Sequence, residues 1–189
     1  KMVREFATNE VEPYAAEIDL TGEFPYRTVE KMREYGLFSV PFPVEYGGAG
    51  GDNMAYAITI EELARVCAST AVILAAHTSL CAGPIFNFGN DYQKRKYLLP
   101  LIKGEKLGAF GLTEPNAGTD AAGQNTKAVD MGDYWLLNGT KVFITNGGVA
   151  ETYVIVAMTD KSKGTRGISA FIVEKGFEGF SIGKKEDKM

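Results

Sequence analysis

The stretch Phe110-Gly-Leu-Thr-Glu-Pro-Asn-Ala-Gly-Thr-Asp120 combines hydroxyl side chains with glycine, proline and asparagine directly after an apolar run. Small residues in such a turn let a ligand approach the backbone, and its exposed N–H groups can bind ring carbonyls or a pyrophosphate. Thr113 and Thr119 add two hydroxyls. The same composition also suits an ordinary loop at a strand end. A second segment, Lys141-Val-Phe-Ile-Thr-Asn146, reads as a strand in which Phe143 and Thr145, two positions apart, share one face. A ring and a hydroxyl on one surface suit a flat heteroaromatic ligand, the ring for stacking and the hydroxyl for a hydrogen bond to an edge nitrogen. A half-buried strand residue beside a surface threonine would look the same.

Other reactive residues point away from chemistry. His77, the single histidine, lies in the apolar run Ala71-Val-Ile-Leu-Ala-Ala-His and is expected to be packed and hydrogen-bonded. Cys67 and Cys81 lack CxxC spacing and read as buried thiols in a reducing compartment, so no metal site is expected. Lys161, Lys163 and Arg166 fall on a turn that could meet a phosphate, although a solvated charged turn explains them as well. Gly47-Gly48-Ala49-Gly50-Gly51 fails the dinucleotide fingerprint, since Asn53 follows and no βαβ pattern surrounds it. It reads as a connector.

A formal charge of −4 across 189 residues leaves no basic surplus for a phosphate backbone, which excludes nucleic acid as the expected partner. With 45% apolar residues the chain can bury a core. The apolar stretches read as interrupted before the ~20 residues of a membrane span. A cytoplasmic protein is expected.

These residues must be held by two kinds of element. Up to Gly104 the spacing is helical: a first helix broken at Pro13, a second from Pro25 to Gly36 carrying Val29 and Met32 inward, and a third capped by Asp52. Two more follow, capped by Ser69 and Asp91. Beyond Gly104, β-branched and aromatic runs predict strands over 107–113, 134–137, 140–145, 152–158 and 168–173. Asn138-Gly139 predicts a tight hairpin turn between the second and third. The expectation is an α+β chain, with an all-α domain over 1–106 and a mostly antiparallel β domain over 107–189.

Taken in order, the two segments resemble the acyl-CoA dehydrogenase family, and the resemblance covers essentially the whole chain. Leu112-Thr-Glu-Pro-Asn-Ala-Gly-Thr-Asp120 is similar to the family's flavin signature, Phe143-Ile-Thr-Asn-Gly-Gly148 to its second flavin strand, and Gly167-Ile-Ser-Ala-Phe-Ile-Val173 to a later core strand. Glu45-Tyr-Gly-Gly-Ala-Gly50, Glu61-Glu-Leu-Ala64 and His77-Thr-Ser-Leu-Cys81 resemble the short-chain, butyryl-CoA type. The resemblance implies FAD as cofactor, an acyl-CoA substrate oxidised to enoyl-CoA, an electron-transferring flavoprotein as partner and a homotetramer.

It further implies that Phe110, Leu112, Thr113, Gly118, Thr119, Phe143, Ile144 and Thr145 bind the flavin, and that Thr119 also contacts the CoA arm. Phe143 stands where many relatives have tryptophan. Glu114 belongs to the loop in the family, not to proton transfer. The family's catalytic glutamate and C-terminal helical bundle are expected beyond Met189, so no catalytic residue is assigned here. Two alternatives stay open: the same fold run backwards as an enoyl-CoA or acrylyl-CoA reductase, and a non-catalytic scaffold.

Overall fold

The structure, a computed structural model, describes residues 1–186. The end of the predicted second domain, 187–189, lies outside the described residues, as does the close of the strand or loop read at 183–189. From 175 to 186 the chain has no regular strand or helix.

A helical domain comes first. α1 (Met2–Phe6) and α2 (Glu12–Thr21) are joined by a π-helical turn, Ala7–Val11. Pro13 sits in the first turn of α2, where its missing N–H costs no hydrogen bond. The expected break is therefore a change of helical register. The device recurs: Pro84 opens α6 (Gly83–Phe88) after the π segment Ala76–Ala82, and Pro100 opens α8 (Leu99–Ile102) after the π segment Lys94–Leu98. A π turn shifts the carbonyl that the proline ring would strike, so each helix continues past its proline.

α3 (Tyr26–Glu34) buries Met32 completely and ends at Gly36, whose φ of 69° is the left-handed stop expected of it. α4 (Asn53–Ala64) is capped by Asp52, which accepts from the Ala55 N–H at 2.8 Å. The next two caps differ from expectation. Cys67, not Ser69, precedes α5 (Ala68–Ala75), with no side-chain cap bond. Asn90, not Asp91, caps α7 (Asp91–Gln93) through a reciprocal pair with Gln93, both bonds 2.9 Å.

α5, its π segment and α6 form one helix, Ala68–Phe88, of 21 residues. It is the one helix among the described residues long and apolar enough to cross a membrane, contrary to the expected interruption. Half of its most apolar stretch is buried inside the protein, where it lies against the first strand.

The sheet domain holds β1 (Gly108–Gly111), β2 (Lys127–Asp130), β3 (Trp135–Asn138), β4 (Thr152–Met158) and β5 (Ile168–Glu174). The sheet is mixed, not mostly antiparallel. β4 pairs antiparallel with β5 along its whole length, while its other edge takes β1 in parallel over Thr152–Ile155 and touches β2, also parallel, at Met158. A long excursion separates β1 from β4, and such a crossover permits parallel pairing.

The Asn138-Gly139 hairpin is absent. β3 pairs instead with β2, a strand not expected from the sequence, across a turn in which Met131 N–H donates to the Tyr134 carbonyl. A Cβ on Gly139 would sit 2.3 Å from Thr126 Oγ1, so glycine there serves close packing. Residues 140–145 form no strand, and Phe143 has φ of 57°.

Both faces of β4 are buried. Tyr153 and Ile155 join a core with Phe6, Met32, Phe38 and Leu74, whereas Val154 faces Cys81, Ile85, Leu98 and Leu101. A strand covered on both sides is a continuous apolar run, which is why 153–157 reads Tyr-Val-Ile-Val-Ala. Tyr97 Oη donates to Glu174 Oε1 at 2.9 Å and Lys96 pairs with the same oxygen at 2.6 Å, tying the helices to β5.

Candidate functional site

The end of β1, the 141–146 segment and the central π turn converge on a cavity of about 330 Å³ lined by Ala76, Leu80, Phe110, Leu112, Thr113, Phe143, Ile144 and Thr145. Its size is at the lower end of the roughly 300–1,000 Å³ typical of ligand pockets. Six of the eight expected cofactor residues meet there. Gly118 and Thr119 do not line it; they lie on the exposed turn that follows the Glu114–Ala117 bridge.

Phe143 and Thr145 do not share a strand face, since residues 140–145 form no strand. The left-handed Phe143 breaks any strand, and an irregular bend brings both side chains to the cavity. Ala76 and Leu80 were not foreseen. Both lie on the π segment Ala76–Ala82 that precedes Pro84.

The lining is apolar apart from two threonine hydroxyls and contains no ionisable side chain. Such a wall suits a flat, largely uncharged ring, with hydroxyls to meet polar edge atoms. The isoalloxazine of FAD fits that donor set.

The buried ion pair of Glu114 and Lys141 stands outside the lining. Glu114 accepts from Lys141 Nζ at 2.8 Å and from the backbone N–H groups of Asn125 and Thr126 at 2.6 and 2.9 Å. Burial alone would raise its carboxyl, but the Lys141 bond and those amides outweigh burial and hold it at about 2. A carboxylate so held, and outside the lining, cannot serve as a base in this pocket.

His77 is packed and hydrogen-bonded, as expected. Its Nδ1 accepts from the Gly108 N–H at 3.0 Å, so Nε2 carries the proton and donates to the Leu101 carbonyl at 3.1 Å. Desolvation pushes its pKa down to about 4 against the pull of that carbonyl. Cys81 is buried, and desolvation pushes its thiol up to about 12; Cys67 is only partly buried. Among the described residues no cluster could hold a metal. On the Lys161–Gly167 turn, Lys163 pairs with Asp160 at 3.2 Å, and Lys161 borders a separate cavity of about 160 Å³ beside Gln124 and Lys127.

Comparison with known proteins matches residues 1–105 to the family described as acyl-CoA dehydrogenase, N-terminal domain, and residues 109–189 to its middle domain. The chain belongs to the acyl-CoA dehydrogenase family. It is 64% identical over 189 residues to a short-chain specific acyl-CoA dehydrogenase of Clostridium acetobutylicum, covering 100% of this chain and 50% of that protein. It is 50% identical over 190 residues to the caffeyl-CoA reductase-Etf complex subunit CarC of Acetobacterium woodii, with coverage of 100% and 50%. The structure of butyryl-CoA dehydrogenase from Megasphaera elsdenii superposes with a TM-score of 0.94 at 49% identity, covering 98% of this chain and 50% of that one. The chain thus spans about half the length of the relatives it matches.

Proposed function

We propose that the full-length protein is an FAD-dependent dehydrogenase of short-chain acyl-CoA thioesters, with 1–106 and 107–189 as its first two domains. The observation that carries this reading is the cavity in which both signature segments meet on a wall without ionisable groups. Phe110, Leu112, Thr113, Phe143, Ile144 and Thr145 hold the flavin ring, Thr113 and Thr145 supplying hydroxyls for its polar edge and Phe143 a stacking face. Gly118 and Thr119, on the exposed turn, hold the pyrophosphate, and Thr119 also meets the CoA arm. When bound, FAD would supply the hydride acceptor for the substrate β carbon, the chemistry that, with loss of the α proton to a base, turns the acyl thioester into its trans-2-enoyl form.

This chain's residues orient the ring and keep water from its inner face, while the α-proton acceptor is supplied from outside residues 1–189. The same reading makes the protein a cytoplasmic homotetramer that passes electrons to an electron-transferring flavoprotein. Its support is the family membership and the identity to short-chain relatives.

Full-length protein should show flavin absorption and bleach when mixed anaerobically with butyryl-CoA. Colourless protein that takes up no FAD would refute the reading. A second reading is favoured by the identity to the caffeyl-CoA reductase subunit: the same site run towards reduction of an enoyl-CoA. Steady-state rates in both directions with a flavoprotein partner separate the two, and a negligible reduction rate dismisses the second.

A further inference from the structure

Lys141 and Glu114 form an ion pair whose side chains are 8% and 6% exposed. Lys141 Nζ also donates to the Leu112 carbonyl at 2.9 Å and to Gln124 Oε1 at 3.3 Å. Glu114 fills both of its oxygens with Lys141 and the amides of Asn125 and Thr126. Three chain segments, at 112–114, 124–126 and 141, are thereby gathered on one ammonium and one carboxylate.

The connections run between two segments that line the pocket, Leu112–Thr113 and Phe143–Thr145. Lys141 grips the Leu112 carbonyl, and the Val142 N–H donates to the Thr113 carbonyl at 2.9 Å. The next residue is Phe143, a bulky side chain in the left-handed region, which only a determining context sustains. A second anchor lies just beyond it, where Asn146 donates to the Ile73 and Gly108 carbonyls at 3.1 Å each. Phe143 is therefore bent between two fixed points, and the Lys141 end sets its distance from Leu112 and Thr113.

Energy alone does not explain such a pair. Two desolvated charges regain little over a well-packed apolar pair of the same volume, so their advantage is in direction and distance. Lys141 has one ammonium with three protons, and the three acceptors around it fix one position for the chain at 141.

We infer that Lys141 and Glu114 are positioning residues that set the spacing of the two lining segments, Leu112–Thr113 and Phe143–Thr145, and so the fit of the flavin ring against them. The inference rests on the FAD reading proposed above. Neither residue lines the pocket, and both act through Leu112, Thr113 and Phe143.

The test is FAD titration of the full-length apoprotein, wild type against Lys141→Met, Lys141→Arg and Glu114→Gln, with circular dichroism to confirm folding and the visible flavin spectrum as the second readout. Lys141→Met should bind FAD about tenfold or more weakly, with a shifted flavin band. Lys141→Arg, which keeps a cation in reach of Glu114, should recover most of that affinity and the wild-type band. A folded Lys141→Met that binds FAD within about twofold of wild type, with an unchanged spectrum, would overturn the inference while leaving the FAD reading intact. Failure of the wild type to bind FAD would overturn both. If Lys141→Met does not fold, Glu114→Gln decides by the same criteria; if neither folds, the pair is a folding element and the inference is wrong.

Discussion

The side-chain amide of Asn146 donates to the carbonyl oxygen of Gly108 at 3.1 Å. The N–H of the same glycine donates to His77 Nδ1, so one residue of β1 is gripped from the helix and from the 141–146 segment. A second Asn146 bond reaches the Ile73 carbonyl, closing a triangle of helix, strand and loop behind the pocket. Asn146 adopts φ of 64°, a conformation asparagine tolerates better than other non-glycine residues.

Replacing Asn146 with alanine removes both bonds and leaves the strained backbone in place. A loss of about 2–4 kcal/mol is expected. Asn146→Gly should recover roughly 1 kcal/mol of it, the backbone share. Urea unfolding of the two variants checks this, and equal losses would show that φ contributes nothing.

His77 makes the fold sensitive to acid. Its folded pKa of about 4 lies below the ordinary 6.5, so the unfolded chain binds the extra proton first. The stability due to neutral His77 is complete above pH 6.5 and lost as pH falls towards 4, on the order of 3 kcal/mol. Glu114 adds a further loss as pH falls from 4.5 towards 2, where its carboxylate is at last protonated. Unfolding midpoints should drop between pH 7 and pH 5 in wild type and stay flat in a His77→Asn variant.

Gly108 allows β1 to touch the central helix. An added Cβ would stand 2.6 Å from Cys81 Cβ and 2.7 Å from its Sγ, in a fully buried contact. Gly108→Ala should destabilise by about 1–3 kcal/mol through overpacking. Gly148→Ala, where nothing lies within 4 Å, is the control and should melt as wild type does.

Phe143 combines a ring at the pocket with a left-handed backbone. Phe143→Ala loses the ring and keeps the strain; Phe143→Gly loses both. The glycine variant of the apoprotein should be about 1 kcal/mol more stable than the alanine variant. Both should bind FAD more weakly, by about fivefold to tenfold, if the ring stacks on the flavin. Calorimetry separates the first effect from the second, and an alanine variant as stable as the glycine variant would show the backbone to be unstrained.

Local signals carried far in this chain. The change from helical to strand spacing near Gly104, the caps at Asp52 and Gly36, and the strands at 152–158 and 168–173 could all be read from neighbouring residues. So could the burial of His77, and the two segments whose order marks the family, because a glycine-rich turn and a hydroxyl-bearing run show themselves in residue types alone.

What the sequence hid depends on residues far apart. Asn138-Gly139 has the chemistry of a hairpin turn, yet β3 pairs with β2, where Leu137 can pack on the core opposite Ala128. A ladder of four register pairs along β2 and β3 outweighs one favourable dipeptide. The parallel pairing of β1 with β4 spans a long excursion that no periodicity records. Phe143 looked like a strand residue because its neighbours are strand-formers. Anchors on either side of it, at Lys141 and Asn146, are bonded to residues 27 and 73 positions away, and the segment between them bends at Phe143. Residue types determined which groups the site contains; the balance of long-range burial and hydrogen bonding determined where each of them stands.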